Sequence, residues 1–326
     1  MIKKIIALVL IAAAAAGLLT ACTEPVSTST DGVLRIVCTT FPQYDWVRQL
    51  TQGAENVNVE LLLNSGRDLH SYQPGAQDIV KIATADVIIY TGGSSEKWIN
   101  DVLETSENEH AVLIDLMHSL PEGSLYCVEA AGEENHSHEE HSHAGEEHNH
   151  TEDEHVWLSV KNAIRLTGII KAVLCDLDGE NSAIYAKNHI EYHKALTELD
   201  GKFENMISSA DKGTLVFADR FPFIYLVKDY GLSYYAAFSG CSAESEASFE
   251  TVTRLAGKID GLGLSYVLIT ETSDGSVART VRDCTKSRNQ EILTLDAMQS
   301  VKKDKLSLSY IEIMESNLEI IKTALS

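Results

Sequence analysis

Short apolar runs alternate with longer amphipathic ones along most of this chain. Strand-length runs lie at Leu34–Phe41, Val57–Leu63, Asp86–Thr91 and Ala111–Leu116, and again at Leu215–Ala218, Leu232–Phe238, Tyr266–Thr270 and Ile292–Leu295. Helical periodicity fills the gaps at Ala76–Ala85, Glu96–Glu104, Ser248–Gly261 and Ser276–Arg288. Alternation of this kind predicts parallel sheets covered by helices. The fold class is therefore α/β, with two (β/α)4-type lobes of four strands each. A helical middle separates them. Val160–Leu177 predicts one helix, stopped by Asp178-Gly179, and residues 181–209 predict a second with Gly201 as its weak point. Unbroken, the second would span about 40 Å and restrict hinging between lobes; broken near Gly201, it would be two ordinary surface helices. The expected division is an N-terminal lobe over 33–180, a linking helix over 181–209 and a C-terminal lobe over 210–326.

One stretch has no hydrophobic period. Glu133–His155 holds seven of the twelve histidines (His136, His138, His141, His143, His148, His150 and His155) among nine carboxylates. Residues 133–154 read as a metal-attracting loop set inside the N-terminal lobe, because imidazole is the commonest metal-binding side chain near neutral pH. The formal net charge of −22 argues against nucleic acid as a partner.

The first 22 residues give an address. Lys3 and Lys4 precede the apolar run Ile5–Leu19, which is short for a spanning helix and fits a secretory leader over 1–21. The ending Leu19-Thr20-Ala21-Cys22 resembles the bacterial lipoprotein box, which implies cleavage before Cys22 and lipid on its sulfur. Residues 22–32 then form a tether, and the protein is expected outside the cytoplasm, anchored to the membrane. Five cysteines remain, none in a CxxC pair, which argues against a thiolate zinc site. Cys38 and Cys241, both beside predicted strand ends, are candidates for a bridge between lobes.

Open α/β sheets bind ligands at the carboxyl ends of their strands. Metal-capable residues follow four of the predicted segments: His70, His155 at the end of the acidic loop, Asp219 with Arg220, and Asp296. Two come from each half, as a metal held in an interlobe cleft requires. Each also has a plainer reading. His70 alone could be a surface histidine, His155 part of the weak His tract, and Asp296 a cap. His189 and His193, four apart on the linking helix, read as solvated residues, and Glu271 as a solvated charge at a strand end.

The flanks of these residues carry a family resemblance. Gly66-Arg67-Asp68-Leu69-His70-Ser71-Tyr72-Gln73-Pro74 is similar to the Gly-x-Asp-Pro-His-x-Tyr-x-Pro segment of the cluster A-I substrate-binding lipoproteins of metal ABC transporters, the zinc- and manganese-binding group that includes adhesin-like lipoproteins. Asp153-Glu154-His155-Val156-Trp157-Leu158 resembles that family's Asp-Pro-His-x-Trp-Leu segment. Leu295-Asp296-Ala297, ahead of Tyr310–Leu325, resembles its closing segment. The resemblance implies His70, His155 and Asp296 as metal ligands. It departs at the third ligand, a histidine or glutamate in the family. Counting back from Tyr230-Gly231-Leu232 puts Arg220 there, and a guanidinium has no lone pair to give. Three replacements are open: Asp219 turned inward, which is favoured; three protein ligands plus water; or Glu244 or Glu246. Arg220 would then pair with Asp219 or Asp296.

Two imidazoles with carboxylates suit Zn2+, and Mn2+ if carboxylates bind bidentately or water fills in; the His-rich loop tips the choice to zinc. The resemblance implies a monomeric, non-enzymatic binding protein that captures zinc and delivers it to an ABC permease. Alternatives are a secreted zinc-dependent hydrolase, although no His-Glu-x-x-His, His-x-x-Glu-His or Gly-x-Ser-x-Gly occurs, and a metal-binding adhesin or store without transport.

Overall fold

The computed structural model describes residues 32–64, 66–106, 108, 110–127, 152–240, 242, 246–301 and 306–326. The leader, Cys22, Cys241, Glu244 and the loop over 133–150 lie outside the described residues. Among those described, no helix is long and apolar enough to cross a membrane.

Two four-stranded parallel sheets form the frame. The first holds β1 (Leu34–Cys38), β2 (Val57–Leu61), β3 (Val87–Tyr90) and β4 (Val112–Asp115) in the order β2-β1-β3-β4. The second holds β5 (Thr214–Phe221), β6 (Ser233–Ser239), β7 (Tyr266–Thr270) and β8 (Glu291–Leu295) in the matching order β6-β5-β7-β8. The central strands are nearly continuous apolar runs, as burial on both faces demands. Helices α1 (Phe41–Thr51), α2 (Ala76–Ala83) and α3 (Trp98–Thr105) serve the first sheet. Helices α6 (Ile224–Asp229), α7 (Phe249–Leu262) and α8 (Ser276–Cys284) serve the second.

The strand expected over Leu34–Phe41 ends at Cys38, and a helix not foreseen starts at Phe41. Gln43 explains the switch: its Oε1 accepts from the N–H groups of Thr39 and Thr40, and Pro42 sits in the first turn, where no N–H is needed. Cys38 is buried and free, and Cys241, its expected partner, lies outside the described residues. Between the sheets run α4 (Val160–Leu177), capped by Ser159, and α5 (Ser182–Ser208). Gly201 does not break α5, so the single long helix is the observed form.

The lobes are not independent. The last helix, α9 (Tyr310–Ala324), returns to pack on α1 and α5. One apolar core runs from Ile36 and Trp46 through Trp157, Tyr185 and Phe203 to Phe217, Tyr225 and Tyr310. A smaller one, with Val216, Leu255, Ile259 and Val267, belongs to the second sheet alone. Polar ties cross the larger core. Tyr310 stacks edge-on against Trp46 at 5.4 Å, donates its hydroxyl to the Trp157 carbonyl at 2.8 Å, and gives its N–H to buried Asp45. Trp157 Nε1 donates in turn to the Ala297 carbonyl at 3.0 Å. We expect Tyr310→Phe, which strands a buried carbonyl, to cost about 1–3 kcal/mol. The measurement is a lower urea midpoint with an unchanged slope.

Candidate metal centre

His70 stands on a one-turn 3-10 helix, Leu69–Ser71, beyond the carboxyl end of β2. Asp68 caps that turn, its Oδ1 accepting from the His70 N–H at 2.9 Å. Behind the ring, His70 Nδ1 meets Ser95 Oγ at 2.7 Å. His155 is fully buried just before a second such turn, Val156–Leu158. Asp153 Oδ1 accepts from both its N–H and its Nδ1, at 2.9 and 2.8 Å. An ionised carboxylate only accepts, so Nδ1 carries the proton and Nε2 keeps its lone pair for the site.

The two Nε2 atoms lie 3.3 Å apart. Two nitrogens each about 2.0–2.1 Å from one tetrahedral zinc lie roughly 3.3 Å apart, and the observed spacing matches that bite. Each ring is also braced from behind, as metal-binding histidines usually are.

Asp153-Glu154-His155 does more than hold one ring. Glu154, also buried, points the other way. Its Oε1 accepts from the Ser94 N–H, from Ser94 Oγ at 2.6 Å and from the Ser95 N–H at 2.9 Å. Burial works against its charge, but these bonds and the nearby His70 outweigh it and hold the carboxyl below the usual range. The serine pair that backs His70 is therefore fixed by the neighbour of His155. Two glycines permit the close approach. A Cβ on Gly93, at φ +78°, would stand 2.5 Å from Glu154 Cγ, and one on Gly240 would stand 2.9 Å from Asp153 Oδ2 and 3.2 Å from His155 Cε1. The segments flanking 128–151 pair with each other: Cys127 and Glu152 form an antiparallel bridge, and the Asp153 N–H donates to the Tyr126 carbonyl at 2.8 Å.

The second lobe differs from expectation at Asp219 and Arg220. The strand predicted to stop at Ala218 runs on to Phe221, with a bulge between Phe217 and Arg220. Asp219 is consequently inside β5 and does not turn inward. Its Oδ2 accepts from Thr270 N–H and Oγ1 on β7, at 2.8 and 2.7 Å. Arg220 pairs with neither Asp219 nor Asp296. It reaches across the lobes to Asp68 Oδ2 at 3.1 Å and also donates to Thr272 Oγ1 at 3.0 Å. Asp68 thereby joins the His70 turn to β5. Glu246 lines a cavity of about 510 Å3 with Asp219, Arg220 and Asp274.

Asp296 follows β8 as expected, and Asn317 of α9 clasps its backbone from both sides. Its Oδ1 accepts from the Met298 N–H at 2.9 Å. Glu271 is not a solvated charge. It cradles the same turn, accepting from the Ala297 and Gln299 N–H groups at 2.8 and 3.1 Å. Burial first, and Asp296 second, push its carboxyl up to about 7. Met298 sits at φ +57°, rare for a residue with a side chain, and the turn aims Gln299 into the site. The buried amide head of Gln299 meets His155 Nε2 directly. Nothing in the sequence pattern flagged Gln299, Ser95 or Glu154. Among the described residues, no group of three or more His, Cys, Asp or Glu is drawn together to hold a metal. The structure unites His70 with His155, and leaves Asp296 and Asp219 outside that pair.

A family model described as zinc-uptake complex component A, periplasmic, matches residues 36–324. The chain belongs to this zinc-uptake component A family. The zinc-binding lipoprotein AdcA of Streptococcus pneumoniae is 29% identical over 297 residues, covering 90% of this chain and 56% of that protein. The chain thus spans little more than half the length of that relative. The high-affinity zinc uptake system protein ZnuA of Bacillus subtilis is 29% identical over 292 residues, covering 90% and 88%. Among solved structures, the Zn(II)-bound ZnuA-like domain of S. pneumoniae AdcA superposes with a TM-score of 0.69 at 27% identity, covering 90% of this chain and 99% of that one. The metal-dependent lipoprotein YcdH of B. subtilis gives 0.72 at 25%, again covering 90% and 99%. Two parallel lobes are thus the architecture of the family.

Protonation of the site should follow the burial of His70. Burial first, and the neighbouring His155 second, push the His70 ring down to about 4. An unfolded chain takes that proton near 6.5, so the protein stripped of metal should lose stability as pH falls from about 6.5 to about 4. Chemical denaturation across that window checks it, and His70→Asn should flatten the profile.

Proposed function

We propose that this protein captures Zn2+ outside the cytoplasm and delivers it to the permease of an ABC transporter. Lipid on Cys22 would hold it at the membrane, and it would work as a single copy without chemistry on its cargo. The observation that carries the reading is the 3.3 Å separation of His70 Nε2 and His155 Nε2, with both rings braced from behind. Membership of the zinc-uptake component A family supports the choice of cargo. Imidazole pairs suit zinc better than manganese, and Mn2+ stands as the weaker competitor.

In this reading His70 and His155 are the first two ligands and Asp296 is the carboxylate of the second lobe. Asp219 drops out, because its Oδ2 serves Thr270. The His/acid loop over 133–150 gathers ions weakly and raises their concentration near the cleft. Delivery then depends on the permease, since ties across the lobes leave little room for spontaneous opening.

Zinc titration against a chromophoric chelator, with Mn2+ as competitor, tests the assignment. His70→Ala and His155→Ala should each lower zinc affinity by more than the roughly 10–100-fold that loss of an orienting neighbour costs. Deletion of 133–150 should remove only the weak equivalents. A deletion that abolished tight binding would move the function from the cleft to the loop.

A further inference from the structure

We infer that Gln299 is a metal ligand, its side-chain carbonyl taking the coordination position for which Arg220 has no lone pair. The inference rests on the zinc-binding reading above. Three heads converge on one point: His70 Nε2, His155 Nε2 and the Gln299 amide. His155 Nε2 offers a single lone pair, because Nδ1 carries the proton and donates it in a hydrogen bond to Asp153. One lone pair cannot serve two donors, His70 and Gln299, at once. Around a cation the conflict disappears. Each imidazole contributes Nε2, and rotation of the Gln299 amide about its last torsion brings Oε1 to the place of Nε2.

The scaffold around Gln299 fits that role. Its side chain is 2% exposed, so its head is held by packing rather than by water. Its backbone N–H is fixed by Glu271, its turn by the Asp296–Met298 hydrogen bond, and the turn contains the positive φ of Met298. Backbone strain of this sort persists where the surrounding structure holds it, and it clusters at ligand sites. His70 can change tautomer to suit an ion, since the Ser95 hydroxyl either donates or accepts. With Asp296 drawn in as the second-lobe carboxylate of that reading, the site would be two nitrogens and two oxygens, one oxygen neutral.

The test compares Gln299→Leu, which keeps the volume and removes the oxygen, with Gln299→Glu, which keeps an oxygen in place. Zinc affinity is measured by chelator competition, and the visible spectrum of the Co2+-loaded protein reports the coordination shell. Gln299→Leu should weaken zinc by about 10-fold or more and change the Co2+ bands. Gln299→Glu should bind at least as tightly as the parent. The apo melting temperature of each variant separates a lost ligand from a lost fold. Unchanged or tighter zinc binding by Gln299→Leu, with an unaltered Co2+ spectrum, overturns the inference. If the parent binds zinc and His155→Ala does not, that failure belongs to Gln299 alone; if the parent fails to bind zinc, both readings fall.

Discussion

Two neutral imidazoles do not hold ring nitrogens 3.3 Å apart without help. At most one of them can donate to the other, and each ring is free in water to turn elsewhere. Here both rings are pinned from behind, His155 by Asp153 and His70 by Ser95; Asp68 caps the turn that carries His70, and Asp153 also holds the His155 N–H. Much of the surrounding polar structure serves that constraint. Glu154 fixes the serines, Arg220 fixes Asp68, and Tyr225 of the second lobe donates to the Asp153 carbonyl at 2.7 Å.

The same ties answer how the lobes relate. A long helix between two sheets would by itself stiffen a hinge. The structure adds the Asp68–Arg220 pair, a backbone bond from Gly66 N–H to the Val301 carbonyl, the Trp157–Ala297 bond and the return of α9 onto α1 and α5. With one apolar core common to both halves, relative motion would expose surface that burial keeps from water. Local rearrangement at the second-lobe turn is the cheaper way to admit or free an ion.

The fold was largely legible from the chain because hydrophobic period reports directly on sheets and helices. All eight strands fall where the apolar runs predicted, and the central helices match closely. The errors were local. A capping glutamine three residues past Thr40 ended the first strand early and opened a helix, and a bulge carried β5 past Ala218. The site was half legible. His70 and His155 stood out because histidine is rare and its flanks carried a motif. Gln299 did not, since its approach to His155 depends on a turn with a positive φ at Met298, which no periodicity reveals. Glu271 was hidden for a similar reason: whether a strand-end acid is solvated depends on N–H groups donated from another turn.

The bridge between Cys127 and Glu152 decouples His155 from the segment it closes. It works as a stem that clamps both ends of the intervening 24 residues beside Asp153. Closing a longer flexible segment costs little, about 0.6 kcal/mol for each doubling of its length. Whatever is spliced between the clamped ends, the register of His155 is set by the stem. Length and composition between the clamped ends can therefore change without moving His155.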